Sequence, residues 1–348
     1  MRGRFFTLTL CLAIVAGCSS PDRYIALGGY AQGGVYAVKF NAKGVKVSPE
    51  ALQAQVDSIL NEIDFTLSGY NKASLLSRLN AGETVKPNEM LCELYDISYR
   101  YYIDSEGAMD VSSGPLFDIW GFGFKDGEMP SEEDVSEAQD RSGMDRLRPR
   151  MEDAIRADGT LTARDLLLDT LQAPPVLNFN AIAQGYSSDV IAAWLHALGV
   201  HDMLVDIGEI YCEGLNQSGK PWTVGLDRPA DGNFTPGADL EGVWHSCGSG
   251  GQGIVTSGNY RKFYVRDGKK YSHSIDPRTG APVQHNLLSA TVVAPDATAA
   301  DAVATWCMVI GLDDAKAVLG RLGMEGCLIY DDGGGNAIWQ TPGFGLEK

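Results

Sequence analysis

Apolar positions along the 348-residue chain alternate between strand-like and helix-like spacing. Behind a glycine-rich stretch that begins at Tyr24, Val35-Tyr36-Ala37-Val38-Lys39-Phe40 alternates as a half-buried strand does. Pro49 then opens a helix with Leu52, Val56, Ile59, Leu60 and Ile63 on one face. The same reading predicts a short Ser74-capped helix, and longer ones over Leu91–Tyr102, Ala183–Leu198, Asp301–Leu312 and Asp313–Leu322. Strands are expected at Met203–Ile207, Ile254–Val255, Arg261–Val265, Leu288–Ala294, Cys327–Tyr330 and Ala337–Gln340. Lys125–Thr170 is polar with weak periodicity and reads as an excursion over the surface. Helices and strands interleave without a βαβ rhythm, and no linker or repeat is visible. The expected class is therefore α+β, with mixed β-sheets packed with helices in interlocked subdomains.

The first residues follow another logic. Arg2 and Arg4 precede an apolar stretch, Phe5–Val15, too short to cross a bilayer comfortably. It ends in Val15-Ala16-Gly17-Cys18, the pattern of a bacterial lipoprotein signal, against which an ordinary secretory signal is the competing reading. The expectation is a signal at residues 1–17, a lipidated Cys18, a tether at 18–23 and a folded domain at 24–348. That places an exported protein on a bacterial membrane, facing the periplasm.

Charge narrows the partners. A net charge of −17 argues against nucleic acid and against anionic lipid surfaces, both of which demand clustered Lys and Arg. An anionic ligand would need a local cation or aimed backbone N–H groups. Beyond Cys11 and Cys18, the five cysteines show no metal-binding spacing and are expected as buried free thiols. The fingerprints of dinucleotide-binding, P-loop, zinc-protease and serine-hydrolase sites are missing.

Four stretches carry chemistry. Leu67–Asn80 holds Tyr70 in a turn ahead of the Ser74 cap. Gly107–Gly123 surrounds Asp110 with small residues and aromatics. Leu177–Asp189 passes from a short strand into a helix through small residues, leaving main-chain groups at the helix mouth for a phosphate or a metal. The fourth runs from Thr256 to Arg261 and from Ser272 to Pro282, and its partner is Asp301–Thr305. Asp301 and Thr305 are four apart, on one helical face, where a carboxylate and a hydroxyl can meet one hard cation. Taken alone, Asp301 reads as a helix-start acid complementing the dipole.

In this order and spacing the stretches closely resemble the FAD:protein FMN transferases, the ApbE-like flavin-trafficking lipoproteins of bacteria. The resemblance runs from about Gly33 to Gly311. It rests on Asp110…Gly114-Pro115-Leu116…Trp120-Gly121-Phe122-Gly123, Thr256-Ser257-Gly258…Tyr260-Arg261, His273…Asp276-Pro277…Thr279-Gly280…Pro282 and Ala300-Asp301-Ala302…Ala304-Thr305. It implies an ApbE-like fold and a Mg²⁺-dependent transfer of FMN from FAD to a Thr or Ser hydroxyl of an acceptor flavoprotein, with AMP leaving. The acceptor it implies is a subunit of a membrane electron-transfer complex. Asp301, Thr305 and the Ala181 carbonyl match the metal positions, and His273 is the expected general base, its unperturbed pKa lying near neutrality. Asp276 is the reserve base or the residue that orients the loop. Gln32, Tyr70, Ala108, Met109, Asp110, Asn178 and Gln184 match flavin and adenosine contacts, with Ser274 and Ile275 adding main-chain groups. Three departures stand out: Asn178 for Asp, Gln184 for Lys or Glu, and one glycine fewer in Val205–Ile210. An FAD pyrophosphatase and a non-catalytic flavin carrier are the alternatives; Tyr70 favours transfer over hydrolysis, and His273, Asp301 and Thr305 together disfavour a carrier.

Overall fold

A computed structural model describes residues 23–123, 129–233, 235–266 and 268–348. Residues 1–22 lie outside it, so the signal, Cys18 and most of the tether fall beyond the described residues. Among the described residues no helix is long and apolar enough to cross a membrane.

The chain opens with the hairpin β1 (Tyr24–Ala31) and β2 (Gly34–Asn41), joined through Gln32 and Gly33, both at positive φ, as a two-residue primed turn requires. Helix α1 (Pro49–Leu67) starts at Ser48, whose hydroxyl accepts from the Ala51 N–H (3.3 Å). Then follow α2 (Leu75–Asn80, capped by Ser74), α3 (Glu89–Asp104), α4 (Gly114–Ile119) and α5 (Glu132–Asp140). Helix α6 (Ala183–Ala197) leads to β3 (Met203–Asp206), β4 (Ile210–Glu213), β5 (Thr223–Asp227), β6 (Leu240–His245) and β7 (Gly251–Gly258). Two hairpins come next, β8 (Phe263–Arg266) with β9 (Lys269–Ser272), and β10 (Ile275–Asp276) with β11 (Ala281–Pro282). Strand β12 (Leu287–Ala294), helices α7 (Ala297–Ile310) and α8 (Leu312–Leu322), and strands β13 (Glu325–Asp331) and β14 (Asn336–Gln340) complete the fold.

Eight strands form one sheet, in the order β1-β2-β3-β4-β7-β12-β13-β14, with every neighbour antiparallel. The α+β class stands. The central strands read as unbroken apolar runs because both sheet faces are covered. Ala290, Val292 and Ala294 of β12, with Leu328 of β13, pack beneath α7 and α8, while Val293, Cys327 and Ile329 point the other way onto Trp222, Trp244 and Phe344. On the first face β2, β3, α1, α3 and α6 share a second core around Phe40, Val56, Leu94, Ile191 and Val205.

Residues 129–170 depart from the sequence expectation, residues 125–128 of that stretch lying outside the described residues. Met144, Leu147, Met151, Leu161 and Leu166 are fully buried in that core, entering through three short 3₁₀ turns and the isolated pairing of Leu161 with Val85. Isolated turns bury one or two residues each, so no period builds up in the sequence. Four of the five cysteines are buried free thiols as expected, but Cys247 is exposed.

Candidate active site

Helix α7 does not begin at Asp301. Asp296 is its N-cap, accepting from the Ala299 N–H (2.7 Å), which moves Asp301 into the second turn and removes the dipole explanation for it. Asp301 is buried, and one of its oxygens accepts from the Gly185 N–H (3.1 Å). Gly185 lies in the first turn of α6, whose N-cap residue Ile182 offers no side-chain cap, so a carboxylate from another helix satisfies an otherwise orphaned donor. Only glycine permits this approach. A Cβ at Gly185 would sit 2.3 Å from the Ala297 carbonyl oxygen and 2.8 Å from Asp301 Cβ. The exchange is mutual: Asp189 of α6 accepts the Ala297 N–H (2.9 Å), the Thr298 N–H (2.8 Å) and the Thr298 hydroxyl. One turn beyond Asp301, the Thr305 hydroxyl meets that of Ser257 on β7 (3.3 Å). Gly253 makes room for the start of α7, since a Cβ there would lie 2.2 Å from the Asp296 carbonyl oxygen.

The turn between β3 and β4 brings a residue that the sequence reading had passed over. Glu209 accepts from the backbone of Thr256 and faces Asp301 and Asp206. Desolvation, then the like charges of Asp301 and Asp206, hold its carboxyl well above the ordinary range. Burial likewise pushes Asp301 up to about 7, against the Gly185 hydrogen bond and with help from Asp189. Asp189 is pushed up to about 6, again by burial. Such carboxylates repel one another until a proton or a cation intervenes. Gln184 folds over Gly208 and donates to the Ile207 carbonyl (3.3 Å). Gly208 has φ +103, so it is the turn position that needs glycine, and Glu209, outside the positive-φ region, does not.

Other candidates approach from neighbouring elements. Gln32, at the β1–β2 turn, donates to the Ser187 hydroxyl of α6 (2.6 Å). The exposed Tyr70 accepts at its hydroxyl from Asn180 (3.1 Å), which ties the first stretch to the third. The buried Asn178 donates its N–H to the Val111 carbonyl (2.7 Å), and its side chain closes a turn by accepting from Asn180 N–H (3.0 Å). Asp110 is occupied locally, accepting from the Ser112 N–H (2.8 Å), the Ser112 hydroxyl (2.7 Å) and the Gly143 N–H (3.0 Å), while burial pushes it up to about 6. Ala108 and Met109 turn their side chains into the two helix-side cores. Ala181 sits just ahead of α6, half-buried against the first core.

His273 joins β9 to β10. Its N–H donates to the Lys262 carbonyl (3.1 Å), and Nδ1 is 3.1 Å from the same oxygen, which leaves Nε2 as the acceptor of a neutral ring. Desolvation and the Lys262 ammonium push its pKa down to about 4. This departs from the expectation of a titration near neutrality and favours the neutral ring there. Asp276 is buried and held by Arg278 through Nε and Nη2 (2.9 Å each) and through the Arg278 N–H (3.0 Å), an arrangement that suits orienting the loop better than taking a proton. Ser274 accepts at its carbonyl from the Val283 N–H (2.9 Å), and Ile275 is buried beside Leu116 and Trp120. Trp120 Nε1 donates to the Gly280 carbonyl (2.8 Å), locking the second stretch to the β10–β11 hairpin, and β10 packs against α7.

Buried carboxylates against the first turn of α6, with an imidazole on the adjoining β9–β10 connection, form the polar cluster of an α+β protein. The chain belongs to the ApbE family, whose model matches residues 28–328. It is 31% identical over 314 residues to a Vibrio cholerae protein named FAD:protein FMN transferase, covering 88% of this chain and 87% of that one. A protein of the same name from Escherichia coli K12 is 32% identical over 302 residues, 84% of this chain and 80% of its own length. Among solved structures, the flavin transferase ApbE from Vibrio cholerae superposes with a TM-score of 0.76 at 28% identity, over 93% of this chain and 99% of that one. The apo flavinyl transferase ApbE from Pseudomonas stutzeri gives 0.77 at 31%, over 92% and 95%.

Proposed function

We propose that this chain is an FAD:protein FMN transferase that uses Mg²⁺ and moves FMN from FAD to a Thr or Ser hydroxyl of an acceptor flavoprotein. The observation that carries the reading is the Asp301 carboxylate, buried against the α6 N-terminus, with Thr305 one turn on and Glu209 facing it. Hard oxygen donors whose carboxyls burial holds above the ordinary range, with neighbouring acids adding to it, suit a small divalent cation. Asp301, Thr305 and the Ala181 carbonyl would hold it, with Glu209 adding charge. When bound, Mg²⁺ neutralises charge on the pyrophosphate oxygens in the transition state.

The acceptor oxygen forms a new bond to the FMN phosphorus as the anhydride bond to AMP breaks, and AMP departs with the bridging oxygen. His273 Nε2 takes the hydroxyl proton, being neutral and held by its Lys262 contact. Asp276, clamped by Arg278, sets the hairpin that carries it. Tyr70, Asn178, Gln184 and Gln32 surround the nucleotide beside the mouth of α6.

The same reading extends to location. Cys18 carries the lipid, residues 18–23 form the tether, the domain at 24–348 faces the periplasm, and the acceptor is a subunit of a membrane electron-transfer complex. Incubation with FAD, Mg²⁺ and a Thr-containing acceptor domain, followed by intact mass measurement of the acceptor, tests the chemistry. Covalent FMN on the acceptor supports transfer; free FMN and AMP would instead mean hydrolysis, and intact FAD a carrier.

A further inference from the structure

The far end of α6 carries a second cluster of ligating side chains. His196 lies in the last turn of the helix, about 11 residues and so roughly 17 Å from Gly185 along the axis. Gly199, at φ +80, turns the chain back, with its N–H on the His196 carbonyl (2.8 Å) and the Val200 N–H on the Leu195 carbonyl (3.1 Å). His201 therefore returns to the side His196 occupies, immediately ahead of β3. The register of β3 with β4 pairs Met203 with Glu213, which sets the Glu213 carboxylate beside both rings.

His196 Nε2 is 2.6 Å from Glu213 Oε2, and His201 Nδ1 is 3.3 Å from Oε1. All three ligand atoms lie within 4.8 Å of one another. A tetrahedral ion with bonds near 2.0–2.2 Å needs its ligand atoms about 3.3 Å apart, so side-chain adjustments of about 1.5 Å or less complete the set. The surroundings hold the carboxylate in place. The Tyr211 hydroxyl donates to Glu213 Oε2 (3.1 Å), and Trp222 Nε1 donates to the Glu213 carbonyl (2.8 Å). Tyr211 occupies the space of an absent side chain on β7: a Cβ at Gly251 would lie 1.9 Å from its hydroxyl oxygen. Ligands oriented by outer hydrogen bonds are the usual mark of a metal site.

We infer that His196, His201 and Glu213 form a transition-metal site, separate from the flavin site, that takes a Zn²⁺-class ion with water completing the shell. Two imidazoles and one carboxylate suit zinc and its neighbours, whereas Mg²⁺ and Ca²⁺ prefer all-oxygen sets. The ion ties the end of α6 to the entry of β3 and the end of β4.

Titration of the full chain with ZnCl₂, in excess Mg²⁺ and followed by calorimetry, tests this. One equivalent should bind to the wild type. His196→Ala, His201→Ala and Glu213→Gln should each weaken it on the order of 100-fold or more, and Tyr211→Phe by about 10-fold. His201 is mostly exposed, so H201A should fold, and FMN transfer in Mg²⁺ should stay within about twofold of wild type. His245→Ala, which removes an ordinary surface His–Glu pair, and Cys247→Ser, which removes the exposed thiol, should leave zinc affinity unchanged. Absence of binding up to about 1 mM zinc, or equal affinity in H201A and E213Q, would overturn the assignment. Loss of transfer activity in every protein would instead count against the flavin reading, since zinc affinity is measured without FAD.

Discussion

Gly185→Ala changes one methyl group at the contact that builds the site. The new Cβ would stand 2.3 Å from the Ala297 carbonyl oxygen, about 1 Å inside ordinary contact, and 2.8 Å from Asp301 Cβ. The obstacle is backbone on a packed helix, so α6 and α7 must part. Overpacking of this kind costs about 1–3 kcal/mol. Separating the helices also weakens the Gly185 N–H to Asp301 bond, a charge-assisted contact worth about 1.5–3 kcal/mol. Helix propensity works the other way, because alanine is favoured over glycine by about 1 kcal/mol inside a helix. The net expectation is a loss of about 2–4 kcal/mol, together with FMN transfer reduced at least tenfold as Asp301 shifts. Urea denaturation and a transfer assay on the same sample measure both. Gly320→Ala is the matched control: it sits on the exposed face of α8 with nothing within 4 Å, so the propensity gain should appear alone, as about 0.5–1 kcal/mol of added stability. If Gly185→Ala proves as stable and active as wild type, the close approach of α6 and α7 is wrong.

Three further outcomes follow from the site. Asp301→Asn should abolish transfer, yet in chelator at pH 7 it should stabilise the fold by about 1–4 kcal/mol, with no gain near pH 4; the folded carboxyl titrates near 7, above its ordinary 3.8, so the wild-type chain loses stability as pH rises between those values, and a flat difference across pH 4–7 in urea melts would refute this. His273→Ala should slow transfer about 10² to 10⁴-fold with FAD affinity retained, and the wild-type pH–rate profile should show its imidazole limb near pH 4; a limb near neutrality that vanishes in the mutant would contradict the desolvation of the ring. Cys18→Ala should move the protein from the membrane fraction to the soluble fraction while the purified domain keeps its turnover, and continued membrane retention in a fractionation assay would rule out the lipid anchor.

Most helices and several strands were legible because each buries a continuous apolar face, whereas α4, α5 and the central strand β4 were not among the expected elements. Strand β1 was not recognised as a strand, since its Leu-Gly-Gly core carries little side-chain pattern and its identity comes from pairing with β2. The turns of 129–170 bury only one or two residues each, and so leave no period to read. At the site, Asp301 and Thr305 were visible as a pair on one helical face, and only the family resemblance marked them as metal positions. Glu209 and Asp189 were not, because what marks them is a partner elsewhere in the chain: Asp301 for one, the first turn of α7 for the other. The Val205–Ile210 turn had drawn notice for a missing glycine, but the structure places its one left-handed residue at Gly208. Nor can a sequence show that Arg278 closes on Asp276, or that desolvation lowers the His273 pKa.

The exchange of carboxylates between α6 and α7 also bears on how the molecule breathes. Each helix satisfies first-turn amides of the other, Asp301 taking Gly185 and Asp189 taking Ala297 and Thr298. Neither helix can fray at its beginning without stripping a partner from the other, so the two first turns open as one cooperative unit. Hydrogen–deuterium exchange at these three amides would then report a single opening free energy, and a ligand held at the α6 mouth would slow all three by the same factor.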